Sequence, residues 1–241
     1  MPFQTIENQR LYQRVAQQVA ELIRSGEIAT GNRLPSERDL AKRLGVSRPI
    51  VREAMIALEI ADLVEIRTGS GVYVKPATTM ADLPARPEVL LRFDAGPGPF
   101  ELLSARLLIE PVIAAEAARL ASRQEMTEME RTIEELVKSP DHRASLEADR
   151  EFHILIATAS RNSVLVSIVE ELWAGMLGPL YETVALRTGL TATLDMTVQD
   201  HRAIVAGITS RSSAAARKAM QRHLEHVREI LASFDEESQD S

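Results

Sequence analysis

The chain has no cysteine. Disulfides, thiolate metal sites and a cysteine nucleophile are therefore excluded. Aromatic residues make up only 4% of it, with a single Trp. Its cores must then be filled by Leu, Ile, Val, Ala and Met, a composition that favours helices. No apolar run approaches the ~20 residues a membrane-spanning helix requires, and the first residues lack the basic-then-apolar order of an export signal. The expectation is a cytoplasmic protein with no membrane partner. There is no Gly-rich phosphate loop and no recognisable nucleophile motif.

The charge is unevenly spread. Over residues 1–80 there are 11 Lys and Arg against 9 Asp and Glu, and over the remainder 17 against 26. A mildly basic head on an acidic body suits a protein that meets nucleic acid at one end. The 241 residues leave room for two ordinary domains.

Leu11, Val15, Val19 and Leu22-Ile23 recur at helical steps until Ser25-Gly26. A turn-rich connector follows over 28–35. Ser36 is a good N-cap, and Glu37 and Asp39 suit the positive end of a helix running to Gly45. Ser47 caps a third helix, 48–60, with Pro49 in the first turn, where a missing N–H costs nothing. Its apolar face is Val51, Ala54, Met55 and Leu58. Two short helices joined through Leu44-Gly45-Val46-Ser47 make a helix-turn-helix. Leu63–Arg67 and Val72–Lys75 alternate as strands around Thr68-Gly69-Ser70-Gly71, which makes a β-ribbon wing.

The fold expected is mainly α: a winged helix-turn-helix of three helices and a hairpin over 1–76, a Pro- and Gly-rich linker over 77–99 with a short helix near 86–93, an all-helical body over 100–234, and a polar tail over 235–241. The body's helices are expected at 100–121, 124–138, 142–159, 162–187, 191–209 and 211–234.

A recognition helix reads base edges from its N-terminal residues, and Arg is the best reader of guanine. Arg48 holds that position and Arg52 lies one turn on. Ser47 can meet a phosphate with its hydroxyl, Arg38 sits in the first turn of the preceding helix, and Gly69 and Gly71 let a wing backbone approach DNA closely.

In the body, Asp149 and His153 share a helical face, His201 opens another periodic stretch and His223 lies in the last helix. Three imidazoles and a carboxylate from three helices can converge on a metal in a bundle core, although only the Asp149/His153 pair is local in sequence. Such a set suits zinc, nickel or another late first-row ion. Arg106, with Glu110 one turn on, reads either as a bidentate clamp for a carboxylate in a cavity or as an ordinary surface ion pair.

The run Arg33-Leu34-Pro35-Ser36-Glu37-Arg38-Asp39-Leu40-Ala41, then Leu44-Gly45-Val46-Ser47-Arg48-Pro49-Ile50-Val51-Arg52-Glu53-Ala54, then Gly69-Ser70-Gly71-Val72-Tyr73-Val74, resembles the head of the GntR family. The resemblance implies Arg38, Arg48, Arg52 and Gly69 at an operator. Pro49 stands where some members carry Thr, so a hydroxyl contact is lost there. The body resembles the FCD effector domain of the FadR subgroup through Glu101–Pro111, Asp149-x3-His153, Asn162, Asp200-His201 and His223-Leu224. That resemblance implies a metal held by Asp149, His153, His201 and His223, and an effector met by Arg106 and Asn162. Ala57–Ile60 and the stretch from Gly96 to Leu103 look most like the hexuronate-responsive branch, which implies a small carboxylate effector such as a uronate or another sugar acid.

The function expected is a metabolite-responsive DNA-binding transcription regulator, a repressor, working as a homodimer because one head reads only a half-site of a two-fold operator. It is not expected to be an enzyme. The alternative is a metal-dependent hydrolase with the head as a DNA tether, and no dedicated general base supports it.

Overall fold

The computed structural model describes residues 10–67, 69–76, 96–187 and 193–233. The chain separates into two compact units, Met1–Pro99 with Asp235–Ser241, and Phe100–Phe234. The expected helix near 86–93, most of the expected linker and the expected tail lie outside the described residues.

In the first unit, helices α1 (Leu11–Arg24), α2 (Glu37–Leu44) and α3 (Arg48–Ile60) precede strands β1 (Val64–Arg67) and β2 (Gly71–Val74). The cap residues set the boundaries. Ser36 accepts a hydrogen bond from Asp39 N, Gly45 ends α2 in the left-handed conformation, and Pro49 lies in the first turn of α3. Val15, Val19 and Ile23 of α1 are buried, as are Val51, Ala54, Met55 and Leu58 of α3, and the two helices pack together. The strands pair antiparallel with Val64 opposite Val74 and Arg67 opposite Gly71. The connector before α2 is more ordered than a turn. Leu34 N donates to Val72 O at 2.8 Å, Gly31 N donates to Val74 O at 2.9 Å, and Arg33 bridges Tyr73, so the segment lies along the free edge of β2.

The second unit holds α4 (Pro99–Leu120), α5 (Arg123–Lys138), α6 (His142–Ala159), α7 (Ser163–Gly175), α8 (Pro179–Arg187), α9 (Leu194–Thr209) and α10 (Ser213–Ser233). Ser122 and Glu125 form a reciprocal capping box on α5, and Asp141 caps α6. Helix α9 packs on α10 and α5, α5 on α6, and α6 on α7. The α9/α10 pair is close because Gly207 has no side chain: a Cβ there would lie 2.6 Å from Ala216 N. The core of this unit holds Trp173 and Phe152, both fully buried.

One expected helix is two. The stretch 162–187 breaks after Gly175, and α7 and α8 diverge by 68°. Gly175 and Gly178 weaken the helix, and Pro179 has no N–H to continue it, so the chain turns and restarts with Pro179 as the first residue of α8. Among the described residues, no single helix is long and apolar enough to cross a membrane.

Candidate DNA-reading head and metal centre

The head presents its expected contacts unequally. Arg38, in the first turn of α2, is exposed. Ser47 is exposed and its hydroxyl makes no cap hydrogen bond. Arg48 opens α3 and is half-buried. Gly69 is exposed in the hairpin turn with φ +70°. Arg52 departs from expectation. It is 3% exposed, and its Nη2 lies 3.1 Å from Glu37 Oε2 on α2. In this structure Arg52 ties α2 to α3. Glu37 takes this part because it stands in the first turn of α2, facing the recognition helix.

In the body, α6 carries Asp149 and His153 one turn apart, α9 carries His201 and α10 carries His223. Their ligand atoms all lie within 4.8 Å of one another, and all three His are buried. Asp149 Oδ1 stands 3.1 Å from His201 Nε2 and 3.4 Å from His153 Nε2. Yet Asp149 Oδ1, both nitrogens of His201 and His223 Nε2 are buried without a hydrogen-bond partner, so these approaches lack hydrogen-bond geometry. Buried polar atoms left unpaired cost about 1–3 kcal/mol each. Several of them converging is the arrangement a metal ion relieves. Metal bonds of ~2.0–2.2 Å require only a slight closing of the four side chains.

Electrostatics agree with a cation site. Burial pushes Asp149 up, but the close imidazoles of His153 and His201 outweigh it and hold it well below the usual Asp value. Burial lowers His201 to about 4 and also lowers His223, so both stand neutral with lone pairs available. Around the cluster, Phe152 stacks on His201 at 4.0 Å and Trp173 lies 5.1 Å from His153. Asp200 was expected only as the neighbour of His201. It is buried and reaches the other way, with Oδ2 at 3.7 Å from His223 Nδ1 and 2.7 Å from His226 Nδ1. Outer partners of this kind orient ligating imidazoles.

Arg106 keeps its Glu110 partner, but inside the bundle. It is 2% exposed, with Nε 2.6 Å from Glu110 Oε1 and its guanidinium 4.4 Å from the Trp173 ring centroid. It is therefore not a surface pair. Arg106, Asp149 and His223 line a cavity of about 320 Å³, with Met176, Tyr181 and Thr197 among its other walls. Met176 and Tyr181 reach it through the α7/α8 bend, and nothing in their local sequence marks them. His142 also lines it. Asn162, expected at the effector, is elsewhere. It is exposed, and its Oδ1 accepts from Val164 N and Leu165 N as the N-cap of α7.

Comparison with known proteins accounts for both units. Residues 11–74 match the bacterial regulatory proteins of the gntR family, and residues 101–226 match the FCD domain. The chain is 37% identical to the Uxu operon transcriptional regulator of Escherichia coli K12 over 94% of this chain and 88% of that protein. It is 36% identical to the Exu regulon transcriptional regulator of the same strain, over 97% and 88%. A solved structure of E. coli McbR/YncC covers 93% of this chain and 98% of its own, with a TM-score of 0.50 at 20% identity, a likeness of fold. These relatives are regulators, which removes the hydrolase alternative. The chain belongs to the gntR family of bacterial regulatory proteins, with an FCD domain as its helical body, and is a metabolite-responsive, DNA-binding transcription regulator.

Proposed function

We propose that this regulator senses a hexuronate or closely related sugar acid bound at a divalent metal in its helical unit. One observation carries the reading: Asp149 and His223 of the Asp149/His153/His201/His223 cluster line, together with Arg106, a single cavity of about 320 Å³. That volume is at the small end of ligand pockets and suits one monosaccharide acid. A carboxylate there can give one oxygen to the metal and the other to the Arg106 fork. Tyr181, Thr197 and Ser145 on the walls offer hydroxyls for a polyol. The donor set of three imidazoles and a carboxylate favours zinc or nickel. The likeness to the Uxu and Exu regulators supports a hexuronate as the effector class.

In this reading residues 1–76 read the operator, through Arg38, Ser47, Arg48 and Gly69, and residues 100–234 sense the effector. The protein works in the cytoplasm as a homodimer on a two-fold site.

The test is a thermal-shift comparison of zinc-loaded protein with D-glucuronate, D-galacturonate, the corresponding neutral sugars and L-lactate. A ligand at a hundred times its Kd adds about 2.7 kcal/mol. The uronates should raise the melting temperature and the neutral sugars should not. A response to lactate alone, or equal responses to acids and neutral sugars, would contradict the uronate reading.

A further inference from the structure

Glu110 is outside the four-residue donor set, yet it touches both halves of the site. Its Oε1 accepts from Arg106 Nε at 2.6 Å, and its Oε2 lies 2.5 Å from His153 Nδ1. The residue is 2% exposed. A carboxylate salt-bridged to a guanidinium only accepts hydrogen bonds. His153 Nδ1 must therefore carry a proton, which leaves Nε2 as the nitrogen with a lone pair to give. Nε2 is also the atom that faces Asp149 Oδ1, at 3.4 Å.

The three imidazoles differ in this respect. His201 Nδ1 is buried without a hydrogen-bond partner, and His223 Nδ1 stands 3.7 Å from Asp200. Of the three, His153 alone has a short contact on the side away from the cluster. From this we infer that Glu110 is a positioning residue for the metal: it fixes His153 to ligate through Nε2 while the same carboxylate holds Arg106 in place at the cavity. One side chain thereby orients a metal ligand and the effector clamp together. The inference rests on the metal reading above and adds to it a residue that the donor set does not contain.

Removing Glu110 alone would leave Arg106 buried without its partner and endanger the fold. The informative comparison is therefore R106Q against R106Q/E110Q, in which the charge pair is removed as a pair, alongside wild type and D200N. Zinc affinity of the full chain is measured by competition with a chromogenic chelator, and the His153 tautomer by long-range 1H–15N correlation of the zinc-loaded protein. Going from R106Q to R106Q/E110Q should cost about 10- to 100-fold in zinc affinity, in line with the loss of an outer hydrogen bond. The Nδ1–H signal of His153 should weaken with it, because a carboxamide can donate to Nδ1. D200N, whose carboxylate stands farther from its imidazole, should cost less. Equal zinc affinity and an unchanged tautomer in the two Arg106 variants would overturn the assignment. A wild-type chain that takes up no zinc would instead sink the metal reading, and the assignment with it.

Discussion

Arg52 and Glu37 join the two helices of the DNA-reading motif, with 3.1 Å between Nη2 and Oε2 and only 4% of the Arg52 side chain exposed. Arg48, one turn earlier, opens the same helix. The two arginines should therefore fail differently. Arg48→Ala should leave the melting temperature nearly unchanged and weaken specific operator binding by about 1–3 kcal/mol, the worth of a bidentate guanine contact. Arg52→Ala should also destabilise the head, by about 1–3 kcal/mol, because Glu37 loses a partner in a partly buried site. Gel shifts at fixed salt combined with thermal melts separate the two. An Arg52→Ala protein as stable as wild type would contradict a structural role for Arg52 in joining the two helices.

The metal-free body should be sensitive to acid, and the sign follows from the site. Burial depresses His201 from 6.5 to about 4 and lowers His223 in the same direction, so the stability of their neutral forms is lost as pH falls below 6.5. For Glu110, burial raises the pKa but Arg106 and His153 overcome it, taking 4.5 down to about 2. Its contribution is complete above 4.5 and is lost as pH falls from there toward 2. His153 runs the other way: burial lowers it, the Glu110 carboxylate raises it, and its contribution fades as pH rises past its elevated value. The melting temperature of EDTA-treated protein should thus decline between pH 6.5 and 4 and fall more steeply below 4.5. His201→Asn should flatten the first limb. An unchanged first limb in that variant would show that His201 is not buried in its neutral form.

Gly207 makes a mechanical prediction. A Cβ at that position would meet Ala216 N at 2.6 Å and Ala216 Cα at 2.8 Å, and both are backbone atoms that cannot move aside as a side-chain end can. Gly207→Ala should force α9 and α10 apart and cost about 1–3 kcal/mol, as overpacking does. Because His201 and His223 lie on those two helices, zinc affinity should fall with stability. A variant as stable as wild type would mean that the helix pair has slack the structure does not show.

Much of this was legible in the sequence, for local reasons. Ser36, Gly45 and Pro49 are boundary signals read one residue at a time, and they appear as an N-cap, a left-handed C-cap and a first-turn proline. Asp149 and His153 are one turn apart on one helix, so their pairing needed no fold. What escaped was tertiary. His201 and His223 join that pair only because α9 and α10 pack as they do. The burial of Arg52 depends on a residue fifteen positions earlier across a helix crossing. The bend inside 162–187 is signalled only by Gly175 and Gly178-Pro179 within an apolar run, and with it went Met176 and Tyr181 as cavity walls. Asn162 is the opposite case: as a residue just before a helix, it fits the ordinary role of an N-cap, which is the role it plays.

The central claim is that the helical unit is built around a metal, and it is tested most directly by the metal content of the full chain. Protein purified without chelator and dialysed against zinc should hold close to one ion per chain by elemental analysis. The His153→Ala/His223→Ala double variant, still folded by circular dichroism, should hold almost none. Wild-type protein that stays metal-free and fully stable after that treatment would contradict the account.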